Sequence, residues 1–153
     1  DELIDNLFRV LAKQTKSFRG TLKIFGNQEV PIGEKNSYKY TIFWINYDFS
    51  EAEKKKSIDK IIEGPSKLKN NALDATMLDY DKKKKLIDCT PLEILRVKIA
   101  AALALNPGAI AFRISKQSIG KIEIDQLSRI LSKIKELFDV ILLIHGPKEI
   151  IQQ

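Results

Sequence analysis

Two short apolar runs separated by an amphipathic helix constrain the fold of this chain more than any other feature. Ala109–Phe112 and Val140–Ile144 have the character of strands that are buried on both faces of a parallel sheet. Between them, leucines and isoleucines recur at helical spacing up to Leu137, and another helix is predicted to begin at Pro91. Helix, strand, helix, strand over residues 91–144 predicts an α/β fold with crossover connections.

Composition sets the class of protein. At 153 residues, with 44% hydrophobic and 30% charged side chains, the chain has the size and balance of one folded domain. Its single cysteine, Cys89, excludes an internal disulfide and a cysteine-rich zinc site, and its single histidine, His145, excludes a site built on two imidazoles. No run is long and apolar enough to cross a bilayer, and the N-terminus does not resemble a secretory signal. We therefore expect a cytoplasmic protein.

The first half is predicted to hold a helix over residues 2–12, a strand over Thr21–Phe25 and a buried strand over Tyr40–Ile45. The spacing of Ser50 and Glu53 predicts a capping box that opens one lysine-rich helix running to Gly64. Residues 66–85 are predicted to form one or two short, mostly exposed helices. We interpret residues 48–89 as a lysine-rich helical subdomain of one domain spanning residues 1–153.

The net charge of +6 permits nucleic acid, anionic lipid or an acidic protein as a partner. The lysines form two runs, Lys54–Lys56 and Lys82–Lys85, and neither is interleaved with aromatic residues. Solvated faces are the simpler interpretation of such runs, and a phosphate-rich or acidic partner is the alternative.

Several strings resemble the nucleotide-binding domain of ATP-binding cassette (ABC) proteins. Gly20–Gly26 resembles the glycine-bounded strand that follows the phosphate-loop helix, and Arg96–Pro107 is similar to the helix after the family signature. Ala109–Ser115 falls at the Walker B motif, and His145 at the switch histidine. The resemblance implies a P-loop NTPase-like, three-layer α/β sheet of the ABC type with a small helical insertion, truncated on its N-terminal side.

The catalytic motifs of that family are altered. The 153 residues contain no phosphate-binding loop of the Walker A type. Arg113 stands where the family has the Walker B aspartate that orders magnesium, and Ile114 where it has the glutamate that polarises water. A guanidinium does not ligate a cation, and an aliphatic side chain does not accept a proton.

Three other motifs of the family are affected. Thr90 and Glu93 occupy the signature loop, which here contains a proline and no glycine; the bland interpretation of this pair is a helix capping box. Gly120 ends the D-loop and replaces its aspartate, and Asn46 is the nearest equivalent of the Q-loop glutamine, with a register uncertain by one position. We expect none of these positions to be catalytic.

Two positions keep open alternatives. His145 either senses a phosphate or simply ends a buried strand. Arg113 either binds an anion, such as a carboxylate of another subunit, or simply extends its side chain to the solvent.

The main hypothesis is a catalytically inactive ABC-ATPase-like domain that has no metal or cofactor and acts through another protein subunit, such as an active ABC-type ATPase or a larger assembly. The alternatives are a basic nucleic-acid-binding module and a fragment of an ABC transporter ATP-binding protein.

Overall fold

The computed structural model describes residues 2, 23–24, 27–28, 42–45, 48–114 and 121–146. Its strands are β1 (Lys23–Ile24), β2 (Asn27–Gln28), β3 (Ile42–Trp44), β4 (Ala109–Arg113) and β5 (Ile141–His145). The helices among these residues are α1 (Glu51–Lys54), α2 (Ile58–Ile61), α3 (Ser66–Ala75), α4 (Pro91–Leu103) and α5 (Lys121–Leu137), and a 3₁₀ turn lies at Leu86–Asp88. The predicted helix over residues 2–12 lies outside the described residues except for Glu2.

A parallel sheet in the order β3-β4-β5 forms the centre of the fold. Ile42 pairs with Ala109, and Ala109 in turn pairs with Ile141, so that the three strands run side by side in register. Helix α5 connects β4 to β5, as parallel neighbours require a crossover. The prediction that the two apolar runs are adjacent strands is confirmed. Separately, β1 and β2 form a short antiparallel hairpin.

Among the described residues, the two faces of the sheet carry clusters of very different size. Because side chains alternate along a strand, Ile110, Phe112 and Ile114 share one face, where they pack with α3, α4 and α5 in the main core. Ala109 and Ala111 point to the opposite face and form a small second cluster with Ile42, Trp44 and Leu143.

Helix α4 is built as its sequence predicts. Thr90 is its N-cap, Pro91 its first residue, and Glu93 completes the capping box. The buried residues of α4 are Leu92, Leu95, Val97, Ile99, Ala100, Ala102 and Leu103. The helix ends at Leu103, and Asn106 has a left-handed backbone with φ of 54°.

Three sequence predictions need correction. The single lysine-rich helix is in fact two one-turn helices, α1 and α2, because the backbone between them pairs with the segment 82–86. Ser57 forms an antiparallel bridge to Lys85, and the Leu86 N–H donates to the Lys56 carbonyl at 3.1 Å. These contacts satisfy backbone groups that a continuous helix would use internally.

The second correction concerns α3, which was expected to be mostly exposed. It buries one full face, formed by Ala72, Leu73 and Ala75, against α4 and α5. The third concerns β5, whose apolar sequence predicts a strand covered on both faces. Ile141 is 50% exposed and the rest of the strand is half-buried, so the apolar run is only partly covered.

Gly64 is required where the chain passes between α2 and α3. Its φ is +151°, and a Cβ atom built on it would lie 2.5 Å from the Ala104 carbonyl oxygen, so the backbone of the subdomain touches the end of α4 there. Among the helices that the structure describes, none is long and apolar enough to cross a membrane.

Candidate functional site

The carboxyl ends of β4 and β5 bring together two of the predicted site residues. Arg113 is the register partner of His145, and the Ile114 N–H donates to the His145 carbonyl oxygen at 2.7 Å. Paired residues on neighbouring parallel strands project to the same face of a sheet. The side chains of Arg113 and His145 therefore leave the sheet next to each other, on one face, at the carboxyl end of the strands, where α/β sheets bind ligands.

Ile114 faces the other way. It is 3% exposed and belongs to the main core. The chain after β5 approaches it closely, because a Cβ atom added to Gly146 would lie 3.1 Å from the Ile114 Cβ. The position that the sequence resemblance assigns to the general base thus holds an apolar side chain that packs in the main core.

His145 has an unsatisfied nitrogen. Its Nδ1 atom is buried and makes no hydrogen bond with the part of the chain that the structure describes. An imidazole nitrogen either donates or accepts a hydrogen bond according to its tautomer. The buried Nδ1 atom is thus an unpaired polar group among the described residues at this end of the sheet.

Thr90 and Glu93, which the resemblance assigns to the signature loop, form a helix capping box, and Glu93 also forms an ion pair. The Glu93 N–H donates to the Thr90 hydroxyl at 3.3 Å, and the Thr90 N–H donates to the Glu93 carboxylate at 2.7 Å. Lys84 donates to both carboxylate oxygens of Glu93, at 2.8 and 2.9 Å. Among the described residues, the hydrogen bonds of this carboxylate serve the helix cap and the ion pair, which supports the capping interpretation of the sequence.

The pKa shifts of this pair agree with that geometry. Burial acts to raise the pKa of Glu93, but the hydrogen bonds from Lys84 and from the Thr90 backbone outweigh it, so the pKa lies below its ordinary value. The hydrogen bond to Glu93 correspondingly raises the pKa of Lys84. Both groups are thus held in their charged forms.

Arg96 has a structural role that the sequence did not reveal. Its Nε donates to the Thr76 carbonyl at 2.7 Å, and its Nη2 donates to the Met77 carbonyl. These carbonyls follow the last residue of α3, and Met77 has a left-handed backbone with φ of 57°. Arg96 therefore closes the C-terminal end of α3, and its burial lowers the pKa of its guanidinium.

Lys98 fixes the other end of the helical segment. Its ammonium donates to the Asp48 carbonyl at 2.6 Å and lies 3.8 Å from the centre of the Phe49 ring, close enough for a cation–π contact. Burial lowers the pKa of Lys98, although Glu53 and Asp48 oppose the shift. Two basic residues of α4 thus hold this segment: Lys98 holds its beginning at Asp48, and Arg96 holds the end of α3.

Two of the predicted positions, Asn46 in the Q-loop and Gly120 in the D-loop, lie outside the described residues. Within the described ranges, no three histidine, cysteine, aspartate or glutamate side chains form a group suited to a metal ion.

A surface groove of about 640 Å³ lies elsewhere, between the end of α3 and one side of α5. None of the predicted site residues lines it; its walls are Met77, Asp125, Ser128, Arg129, Ser132 and Lys133. A salt bridge from Lys133 to Asp74, at 3.1 Å, crosses between the two helices beside it.

Comparison with solved structures identifies the fold. cbiO1 from Clostridium perfringens, part of the ABC transporter complex cbiONQ, matches with a TM-score of 0.72 and 18% identity, over 94% of this chain and 62% of cbiO1. A nucleotide-free ATP-binding cassette from an ABC transporter matches with a TM-score of 0.70 and 18% identity, over 97% of this chain and 68% of the cassette. An ATP-binding cassette of an ABC transporter in its ADP conformation gives a TM-score of 0.72 at 16% identity, over 96% and 67% of the two chains.

No family model and no curated protein matches the sequence. The chain spans 62% of the length of cbiO1. At these levels of identity the similarity is one of fold. The chain has the fold of an ABC ATPase domain, as the resemblance of its sequence predicts.

Proposed function

We propose that this chain is an ABC-ATPase-like domain that does not hydrolyse ATP and acts by pairing with another protein, in the cytoplasm. The observation that carries the proposal is the end of β4, where Arg113 lies in register with His145 and Ile114 is packed into the core. The scaffold of a nucleotide-hydrolysing domain is retained, while the side chains at this sheet end have a different chemistry.

The chemistry of Arg113 supports inactivity. Magnesium is bound in proteins by oxygen ligands, usually carboxylates and water, and a guanidinium offers none. It is permanently cationic and has no acceptor, so it neither orients a cation nor removes a proton from water. Ile114 offers no base, and its burial leaves no room for a hydrated site at that position.

The same pair suits an anionic contact. Guanidinium groups bind carboxylates and phosphates in a bidentate manner, and the imidazole of His145 presents a second polar group beside it. A partner that supplies an acidic side chain to this sheet end would use both groups. A paired ABC-type ATPase subunit or a larger assembly built around one is the partner that the fold suggests.

The experiment measures phosphate release from ATP with and without magnesium, using the wild-type chain and the Arg113→Asp variant. We expect the wild type to release phosphate at the rate of the buffer alone. Magnesium-dependent release above that rate would refute inactivity. To test pairing, the wild type and Arg113→Glu are compared for retention of the proteins that co-purify with them from native extract. We expect charge reversal to reduce retention, and unchanged retention would exclude this sheet end as the contact.

A fragment of an ABC transporter ATP-binding protein is the competing interpretation, since the chain spans 62% of cbiO1. It predicts hydrolysis by the full natural protein that contains these residues. Arg113 and Ile114 argue against it. Additional residues of a longer protein would not change the guanidinium and the buried aliphatic side chain at the positions assigned to Walker B.

A second candidate function rests on what we call the lysine surface. The fold joins the two lysine runs, because the Ile58 N–H donates to the Lys84 carbonyl at 3.0 Å and the Asp59 N–H to the Lys82 carbonyl at 2.8 Å. Two lysines of the runs are held by carboxylates, Lys54 by Glu51 and Lys84 by Glu93. The lysine surface consists of the exposed remainder, Lys55, Lys56, Lys82, Lys83 and Lys85.

Nucleic-acid binding by the lysine surface would weaken as salt rises, because each phosphate contact releases counterions. An electrophoretic mobility shift with duplex DNA and with single-stranded RNA, at low and at physiological salt, tests it. The candidate predicts retention at low salt that a Lys82→Glu and Lys83→Glu double variant abolishes. Absence of retention at low salt would exclude it.

A further inference from the structure

One short segment, Lys82–Leu86, closes the start of α2, and we call it the strap. The Ile58 N–H donates to the Lys84 carbonyl at 3.0 Å, and the Asp59 N–H donates to the Lys82 carbonyl at 2.8 Å. These two N–H groups belong to the first two residues of α2, whose N-cap residue makes no side-chain hydrogen bond. The first N–H groups of a helix have no partner within the helix, so the carbonyls of the strap serve as the cap of α2.

The same segment holds the start of α4 through the side chain of Lys84. Its ammonium donates to both carboxylate oxygens of Glu93, at 2.8 and 2.9 Å. Glu93 in turn accepts from the N–H of Thr90, the N-cap of α4, at 2.7 Å. Among the described residues, no hydrogen bond or ion pair joins Glu93 directly to α2. Lys84 therefore links the two helix starts, with its carbonyl at α2 and its ammonium at the cap of α4.

The strap is fixed on both sides of Lys84, so it does not adjust at one helix without moving at the other. On one side, the Lys84 N–H donates to the Asp81 carbonyl at 2.8 Å. On the other side, Leu86 is buried in the main core and its N–H donates to the Lys56 carbonyl at 3.1 Å. The Lys84 side chain is 31% exposed, so most of its stem is packed. A displacement that breaks the hydrogen bond to α2 therefore also pulls the ammonium away from Glu93.

We propose that the strap opens and closes as one unit, and that Lys84 is the positioning residue that couples the start of α2 to the start of α4. A change that takes the Lys84 ammonium away from Glu93 then reaches both helices. Lys82, Lys83 and Lys85 of the strap are exposed members of the lysine surface, so this surface and the start of α4 belong to one structural unit. The inference rests on hydrogen bonds between described residues and does not depend on the proposed lack of hydrolysis or on nucleic-acid binding.

Amide hydrogen exchange of the full chain under native conditions, followed by NMR, tests this coupling. Lys84→Met keeps most of the side chain and removes its charge, so the ion pair to Glu93 is lost while the carbonyl of residue 84 is retained. We expect the amides of Ile58, Asp59 and Thr90 to exchange about 3- to 10-fold faster than in the wild type. The amides of α5 should exchange at the wild-type rate, because opening of the strap leaves that helix folded.

Lys83→Met is the matched control, because Lys83 is an exposed lysine of the same strap that forms no ion pair with the described residues. We expect its exchange to match that of the wild type. Glu93→Gln completes a double-mutant cycle with Lys84→Met. Although Glu93 lies on α4, Glu93→Gln should accelerate exchange at Ile58 and Asp59, and combining the two substitutions should add little further acceleration there.

Three results would overturn the proposal. Acceleration at Thr90 with wild-type exchange at Ile58 and Asp59 would show that the ion pair serves α4 alone. Equal acceleration in Lys83→Met would assign the effect to the loss of positive charge in general. Equal acceleration in α5 would show that the domain opens as a whole rather than at the strap.

Discussion

Replacing Glu93 with alanine tests whether the signature-loop position is a structural cap. The Glu93 side chain is 15% exposed and accepts hydrogen bonds from the Thr90 N–H at 2.7 Å and from Lys84 at 2.8 and 2.9 Å. Losing a capping interaction costs about 1 kcal/mol, and losing a partly exposed ion pair costs about 0.5–1 kcal/mol. Glu93→Ala should therefore reduce the free energy of unfolding by about 1.5–2 kcal/mol in this estimate.

For a domain of this size the loss corresponds to a fall in the unfolding midpoint of about 3–8 °C. Thermal and urea unfolding followed by circular dichroism measure it. Glu51→Ala is the matched control, because the Glu51 carboxylate also pairs with a lysine but is 83% exposed. We expect the control to change the free energy of unfolding by less than about 0.5 kcal/mol.

The pH dependence of the free energy of unfolding provides a second test of the Glu93→Ala prediction. The pKa of Glu93 is lower in the folded protein than in the unfolded chain, so its stabilisation is present above the unfolded pKa of about 4.3 and is lost as pH falls through the folded pKa. Glu93→Ala should flatten the acid limb of the stability profile. Glu53 retains part of that limb, because hydrogen bonds from the backbone and side chain of Ser50 lower its pKa too. Equal stability and equal pH profiles of Glu93→Ala and wild type would refute the capping account.

Three shorter predictions follow from other contacts. Gly64→Ala should cost at least about 2 kcal/mol of stability, since a Cβ would lie 2.5 Å from the Ala104 oxygen at a φ of +151°; an unchanged urea midpoint would contradict that contact. Arg96→Met should lower stability by about 1.5–3 kcal/mol, because it leaves the carbonyls after α3 without their charged donor; hydrogen exchange should accelerate at the end of α3 and not in α5. Burial raises the pKa of the Cys89 thiol, so it should react with a disulfide reagent at neutral pH several-fold more slowly than in the urea-unfolded chain, and equal rates would show that the thiol is not shielded.

Local signals made much of the second half predictable. The capping box of α4 involves only Thr90 and Glu93, so neighbouring residues suffice to specify it. The strands β4 and β5 were located within a residue of their ends, because continuous apolar runs of that length have few alternatives in an α/β pattern.

The features of the fold that the sequence did not predict depend on contacts between segments that lie far apart along the chain. The break between α1 and α2 depends on pairing with Lys84 and Leu86, and no local residue signals that break. The partial exposure of β5 depends on how the other elements pack around the strand, which its composition does not show.

In the candidate site, too, local features were predictable from the sequence and contacts between distant segments were not. That Arg113 and His145 both end strands is readable from the pattern, but their residue-by-residue register is a property of the assembled sheet. The roles of Arg96 and Lys98 were missed because the carbonyls they bind belong to segments far away in sequence. A basic residue inside an otherwise apolar helical string was the available signal.

The most direct test of the central claim is whether a metal–nucleotide complex reaches the end of β4. The chain has one histidine, so the ring resonances of His145 can be assigned without ambiguity, and Mn²⁺ replaces Mg²⁺ at oxygen-ligand sites while broadening nearby signals. With Mn²⁺ and ATP added together, we predict no selective broadening of the His145 ring. Saturable broadening that Mg²⁺ reverses would show that this sheet end still handles a metal–nucleotide complex, and would contradict the account.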